Sequence, residues 1–127
     1  MKPLLWAVAI VAVLAGRQAW AHHSYAAYEM DRIVEIAGVL EAFEVVAPHS
    51  LIKITTDDGR LVVTEWVAPI GLERQNVDAS ALKKGDRIVV TGNPHREFAS
   101  NGVLNFKSVT RPSDGLTWAV PSRAGSR

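Results

Sequence analysis

No cysteine occurs in the 127 residues. That excludes a disulfide framework, a lipid-modified cysteine and any thiolate metal site. No apolar run is long enough to cross a membrane. The run at the start, Leu4 to Ala15, has 12 residues, and a spanning helix needs roughly 20. Charge of either sign is not in excess: 14 Lys and Arg stand against 13 Asp and Glu. A chain so close to neutral argues against a nucleic-acid partner, which calls for a basic face. There is no internal repeat. Zinc-type spacing is absent too, with no His-x₃-His and no Cys pair. No catalytic constellation stands out. Ser24 and Ser50 lie beside His23 and His49, but neighbours in sequence do not make a triad. An enzyme is not expected.

What the chain does contain begins with an export signature. Lys2 precedes the apolar run, and Ala19-Trp20-Ala21 has the small-x-small form that signal peptidase cuts after. The expectation is a signal peptide over residues 1–21, a periplasmic or secreted protein, and no stable membrane insertion after cleavage. Removing residues 1–21 leaves 106 residues, one domain, with 12 basic residues (Lys2 and Arg17 being lost) against 13 acidic. The mature N-terminus is then His22, followed by His23. A free N-terminal histidine can close a chelate ring with its α-amine and its own imidazole, which an internal histidine cannot do.

Residues 22–31 read as an N-terminal arm, with Tyr25 and Tyr28 spaced for one helical turn or for packing on a barrel. Residues 32–120 read as the folded domain. The first strand, Arg32 to Val46, alternates Val34, Ile36 and Leu40 with Glu35 and Glu41. Its phase slips past Ala42, and with the mid-strand Gly38 this predicts a bend or bulge. The second strand is Leu51 to Thr56, and Asp57-Asp58-Gly59-Arg60 predicts a type I′ hairpin turn. The third is Leu61 to Val67. Ile70 to Asn76 predicts a short helix with Leu72 and Val77 on its buried side, and Lys83-Lys84-Gly85-Asp86 a surface turn with Gly85 left-handed. Arg87 to Gly92 is the fourth strand, residues 93–102 a loop, and Val103 to Thr110 the fifth strand. Leu116-Thr117-Trp118 can add an edge segment, and residues 121–127 are expected to be a disordered tail.

Five strands with one short helix between the third and fourth is the order of an all-β, OB-fold-like barrel; another small barrel or sandwich is the alternative. The expected core is Val34, Ile36, Leu40, Ile52, Ile54, Val63, Leu82, Val90, Leu104 and Val109.

The four histidines carry the candidate chemistry. His22 and His23 are on the arm. His49 lies between the first and second strands, and His95 between the fourth and fifth. Each of the two loop histidines follows a proline, Pro48 or Pro94. In an OB-fold those two loops border one binding face. An amine with two or three imidazoles and no thiolate leans towards copper, with zinc or nickel next. The candidate metal ligands are therefore His22, His23, His49 and His95. Glu65 and Glu97 are the acids placed to approach them. Met30 is expected to pack, and Trp66 to belong to the barrel rather than to stack on a ligand.

Ala21-His22-His23-Ser24-Tyr25, Gly38-Val39-Leu40, Pro48-His49, Leu82-Lys83-Lys84-Gly85-Asp86 and Asn101-Gly102 resemble a bacterial family of exported proteins, domain-of-unknown-function family 6152. Its members begin after the signal with Ala-His-His-Ser-Phe and carry Asn-Pro-His after the first strand. This sequence has Tyr25 for the phenylalanine and Ala47 for the asparagine. The resemblance covers nearly all of the mature chain. It implies an exported β-barrel and gives weight to His22, His23 and His49, but supplies no activity. Three readings stand together: a periplasmic metal-binding protein, copper first; a metal-free module for a small molecule, a peptide or an envelope protein; and, least favoured, a histidine-braced copper enzyme.

Overall fold

The computed structural model describes residues 25–121. The expectations for the signal peptide, for His22 and His23, and for residues 122–127 of the tail lie outside the described residues. The elements are β1 (Val34–Glu44), β2 (Leu51–Thr55), β3 (Leu61–Glu65), α1 (Pro69–Arg74), a 3₁₀ turn (Ala79–Ala81), β4 (Arg87–Pro94), α2 (Phe98–Asn101), β5 (Val103–Arg111) and β6 (Leu116–Ala119).

β1 is long enough to serve two neighbours. Its first half, Val34 to Val39, pairs antiparallel with β4, and Val39 to Glu44 pairs with β2. The change of partner coincides with the phase slip read from the sequence: the register shifts between Leu40 and Ala42. The extra residue re-aims the strand, so Leu40 and then Phe43 both stand opposite inward-facing isoleucines, Ile54 and Ile52. β2 and β3 form a hairpin, β4 and β5 pair antiparallel, and a parallel pairing of β3 with β5 closes the barrel. The protein is thus all-β, a closed five-stranded mixed barrel with a few short helical pieces, as expected. α1 and the 3₁₀ turn fill the connection between β3 and β4, where the sequence predicts the helix.

The core is Leu40, Ile52, Ile54, Val62, Trp66, Leu72, Leu82, Ile88, Val90, Leu104, Phe106 and Val109, with Val34 and Ile36 half-buried against it. Val63 is a correction. The buried β3 positions are Val62 and Thr64, while Val63 pairs with Lys53 on the outer face. The run Leu61-Val62-Val63 is apolar in both phases, and the polar Thr64 takes an inward position, so alternation alone points to the wrong set.

The hairpin turn differs from the type I′ expectation. Gly59 has φ +83°, but Asp58 does not take a positive φ. The Gly59 amide donates to the Thr56 carbonyl, and the Thr56 amide to that of Arg60. Three residues then separate Thr56 and Arg60, and a loop of that length is a type I turn followed by a left-handed glycine.

β4 also runs further than expected, to Pro94, because Asn93 and Pro94 pair with Asn105 and Leu104. The loop after it holds the one-turn α2. The edge segment is a sixth strand, pairing with Ser108 to Arg111 of β5.

Arg111 ties the end of β5 to the connection before β4. Its guanidinium donates to the Asp86 carboxylate at 2.6 Å, to the Ala81 carbonyl at 2.7 Å and twice to Asp114, at 3.0 and 2.7 Å. The Arg111 hydrogen bonds hold the Asp114 carboxyl down at about 2. The Lys83 amide and then Arg111 lower that of Asp86. Depressed carboxylates stabilise the folded state above their unfolded value, near 3.9, and lose that contribution as pH falls through the folded value. Melting temperature is therefore expected to drop between about pH 4 and pH 2. Asp114→Asn should flatten that drop without abolishing it, because Asp57, Asp58 and Asp78 are lowered as well. Thermal melts across this range check it; an unchanged slope in the variant would refute the assignment.

Candidate functional site

His49 sits in the exposed connection between β1 and β2, after a cis Ala47–Pro48 peptide. Its Nδ1 lies 3.1 Å from the carbonyl oxygen of Trp66. A carbonyl can only accept, so Nδ1 carries the proton. In the neutral ring the lone pair is then on Nε2. This is the arrangement in which metal-binding histidines are held, with the second nitrogen donating to a backbone carbonyl.

His95 is prepared in the opposite sense. Its backbone amide donates to the Val103 carbonyl, which fixes the residue at the end of β4. Its Nδ1 accepts the Glu97 amide at 3.0 Å and faces the Asn101 side-chain nitrogen at 2.9 Å. The Asn101 oxygen accepts the Val103 amide, so the nitrogen is the atom turned to His95. With two donors on Nδ1, the proton of the neutral ring belongs on Nε2. His95 in this setting is a hydrogen-bond donor, and coordinating a metal through Nε2 requires the ring to give up both partners. Glu97 reaches it through the main chain and not through its carboxylate.

The arm packs on the barrel beside His95. Tyr28 forms a bridge with His95, and its ring meets the imidazole edge-on at 5.6 Å. The Glu29 amide donates to the Pro94 carbonyl at 2.9 Å and the Arg96 amide to that of Ala27 at 2.8 Å. Arg96 Nε donates to the Ala26 carbonyl. Asn93 is fully buried, and its amide nitrogen donates to the Arg32 carbonyl at 2.6 Å and to that of Met30 at 3.3 Å. Met30 itself is exposed, with Sδ 4.0 Å from the Asn105 amide nitrogen.

The Tyr28 side chain reaches from the arm to β3. It is 8 % exposed, and its hydroxyl donates to Glu65 at 2.5 Å. Burial first, then the bond to Glu65 and its charge, push the phenol above its ordinary range, so it remains a donor. Glu65, one of the two acids expected near the loops, thus partners a phenol and not an imidazole. It directly precedes Trp66, whose carbonyl holds His49. A continuous path of contacts therefore runs His49, Trp66, Glu65, Tyr28, His95. The Tyr25–Tyr28 spacing is visible in the sequence, but Tyr28's partner and the role of Asn93 are not, since both depend on residues more than 35 positions away.

Trp66 is core: its ring stacks on Phe106 at 3.7 Å and lies parallel to Phe43 at 6.2 Å. Beside it the Ser50 and Thr64 hydroxyls and the Trp66 Nε1 are buried and have no hydrogen-bond partner among the described residues. Among the described residues, no group of three or more His, Cys, Asp and Glu stands ready to share a metal ion. No helix among them is long and apolar enough to cross a membrane. A cavity of about 280 Å³ lies away from both histidines, lined by Asp86, Arg87, Val89, Arg111, Pro112 and Ser113. Its charged groups already pair with one another or with Asp57 and Asp114.

No curated protein matches the sequence. Among solved structures, apo TiaS, a tRNAIle2 agmatidine synthetase, is similar at 20% identity and a TM-score of 0.45, over 65% of this chain and 18% of that one. The family model described as "Family of unknown function (DUF6152)" matches residues 9–105, well over half of the sequence, and the chain belongs to that family.

Proposed function

We propose that the protein is an exported binding protein that holds a divalent metal ion at one end of its barrel, copper first and zinc or nickel after it. The ligands are the lone pair of His49 and the amine and imidazoles of the N-terminal His22 and His23. His95 lies beside the arm and joins only by releasing Glu97 and Asn101. The single observation that carries this reading is the Nδ1–H bond from His49, an exposed residue, to the Trp66 carbonyl, which leaves the lone pair of the neutral ring on Nε2. The neutral imidazole–amine set, without a thiolate, suits Cu(II). Because such ligands bind only when deprotonated, affinity falls as pH drops. The amine exists only after cleavage behind Ala21, so the complete site forms after export.

The test is Cu(II) titration of protein processed to begin at His22. His49→Ala, and a version with one extra N-terminal residue, should each lose at least about tenfold in affinity. His95→Ala should change it far less. In the metal-free protein, imidazole nitrogen NMR should find the His49 proton on Nδ1 and the His95 proton on Nε2. If neither His49→Ala nor the extension alters affinity, the metal reading fails. The metal-free binding module then takes its place, with Val45 and Val46, 46% and 42% exposed beside His49, as the contact surface for a small ligand or an envelope protein.

A further inference from the structure

We infer that Asn101 is a deamidation site which the fold keeps closed, and that its conversion to aspartate moves the proton of the neutral His95 ring from Nε2 to Nδ1. Every residue involved lies in the described part of the chain, and no metal ion is needed. Asn101 precedes Gly102, and the structure requires both. Gly102 has φ +65°, and a Cβ built on it would lie 2.6 Å from the Leu61 carbonyl oxygen, so only glycine fits. The Asn101 side chain is used at both ends. Its oxygen accepts the Val103 amide at 3.0 Å, and its nitrogen donates to His95 Nδ1 at 2.9 Å.

An asparagine before glycine is open to loss of its side-chain amide, because glycine has no side chain to shield its own nitrogen. The Gly102 nitrogen, giving up its proton, attacks Cγ of Asn101. A C–N bond forms, the bond from Cγ to Nδ2 breaks, and ammonia leaves. Water then opens the cyclic imide to aspartate or isoaspartate. In the fold the reacting atoms are held apart from this course. The Gly102 amide donates to the Phe98 carbonyl at 3.0 Å, and the Asn101 side chain is tied as above. Asn101 is exposed, and α2 is a single turn of four residues. Local opening of that turn frees both groups without unfolding the barrel.

The aspartate acts on His95. Where Nδ1 accepted from an amide nitrogen, it now faces a carboxylate oxygen. Two lone pairs in contact repel, whereas a proton on Nδ1 makes a charge-assisted bond, roughly twice as strong as a neutral one. The bond given up is that of the Glu97 amide, at an exposed residue where water can replace it. Nε2 then changes from a donor to an acceptor.

Two measurements test this. The protein is incubated folded and, separately, unfolded in urea, and conversion at Asn101 is followed by peptide mass mapping. It should be at least about tenfold slower in the folded protein, where the reaction waits for the open fraction. Equal rates overturn the closed site. Imidazole nitrogen NMR is then recorded well above the ordinary imidazole range, near 6.5, on the unsubstituted protein, Asn101→Asp and Asn101→Ala. The His95 proton should sit on Nε2 in the unsubstituted protein and in Asn101→Ala, where the Glu97 amide still occupies Nδ1, and on Nδ1 in Asn101→Asp. A proton kept on Nε2 in Asn101→Asp overturns the switch. So does one on Nδ1 in either of the other two. If Asn101→Asp does not fold, the spectrum of folded protein aged until Asn101 has converted decides.

Discussion

Leu104→Ala is expected to lower the free energy of unfolding by about 2–5 kcal/mol. Leu104 is completely buried and stands on β5 where the barrel closes. It pairs with Thr64 across the parallel β3–β5 seam and with Pro94 across the antiparallel β4–β5 ladder. The Cγ and both Cδ methyls, three carbons, are lost on one side of a closed barrel, whose strands cannot collapse inward without breaking the other pairings. The cavity cost therefore adds to the transfer cost. Val63→Ala is the matched comparison. It removes apolar volume from the outer face of the adjoining strand, opposite Lys53, and should cost well under the Leu104 value. Urea unfolding of both variants measures this, with a constant m-value confirming that only stability has changed. Equal costs at the two positions would refute the assignment of β3 phase and of the closing seam together.

Gly38→Ala should be as damaging, for a different reason. A Cβ built on Gly38 lies 2.6 Å from the Thr55 carbonyl oxygen and 3.0 Å from its carbon. Both atoms are main chain, so no side-chain rotation relieves the overlap. Thr55 is paired with Val39, at the point where β1 leaves β4 for β2. Making room means opening that junction. Overpacking typically costs about 1–3 kcal/mol, and a backbone clash belongs at the top of that range or beyond it. The midpoint of urea unfolding checks the size, and faster hydrogen exchange at Val39 and Thr55 would locate the damage. A loss under about 0.5 kcal/mol, the scale of a neutral surface change, would show that the junction opens cheaply and that the bulge at Leu40–Ala42 absorbs the insertion.

Local chemistry in the sequence was enough for the outline of the barrel. Period-two alternation located five strands, proline and glycine marked their ends, and the slip past Ala42 located the bulge. Strand order with a helix between the third and fourth then leaves few topologies open. Alternation is a property of neighbours, which is why it could be read without the fold.

The site was legible only as a set of residue types. His49 and His95 look alike in sequence: each follows a proline, each lies between strands, and each is an imidazole. Their difference rests on partners brought from elsewhere, the Trp66 carbonyl for one, and the Glu97 amide and Asn101 side chain for the other. The same holds for Val62 over Val63, for the extension of β4 to Pro94, and for the arm held by Asn93 and Tyr28. Each depends on register across a ladder or on a hydrogen bond between residues far apart in the chain. Barrel closure sets those registers, and a proton shared between two nitrogens of one ring goes wherever the closed barrel puts the acceptor.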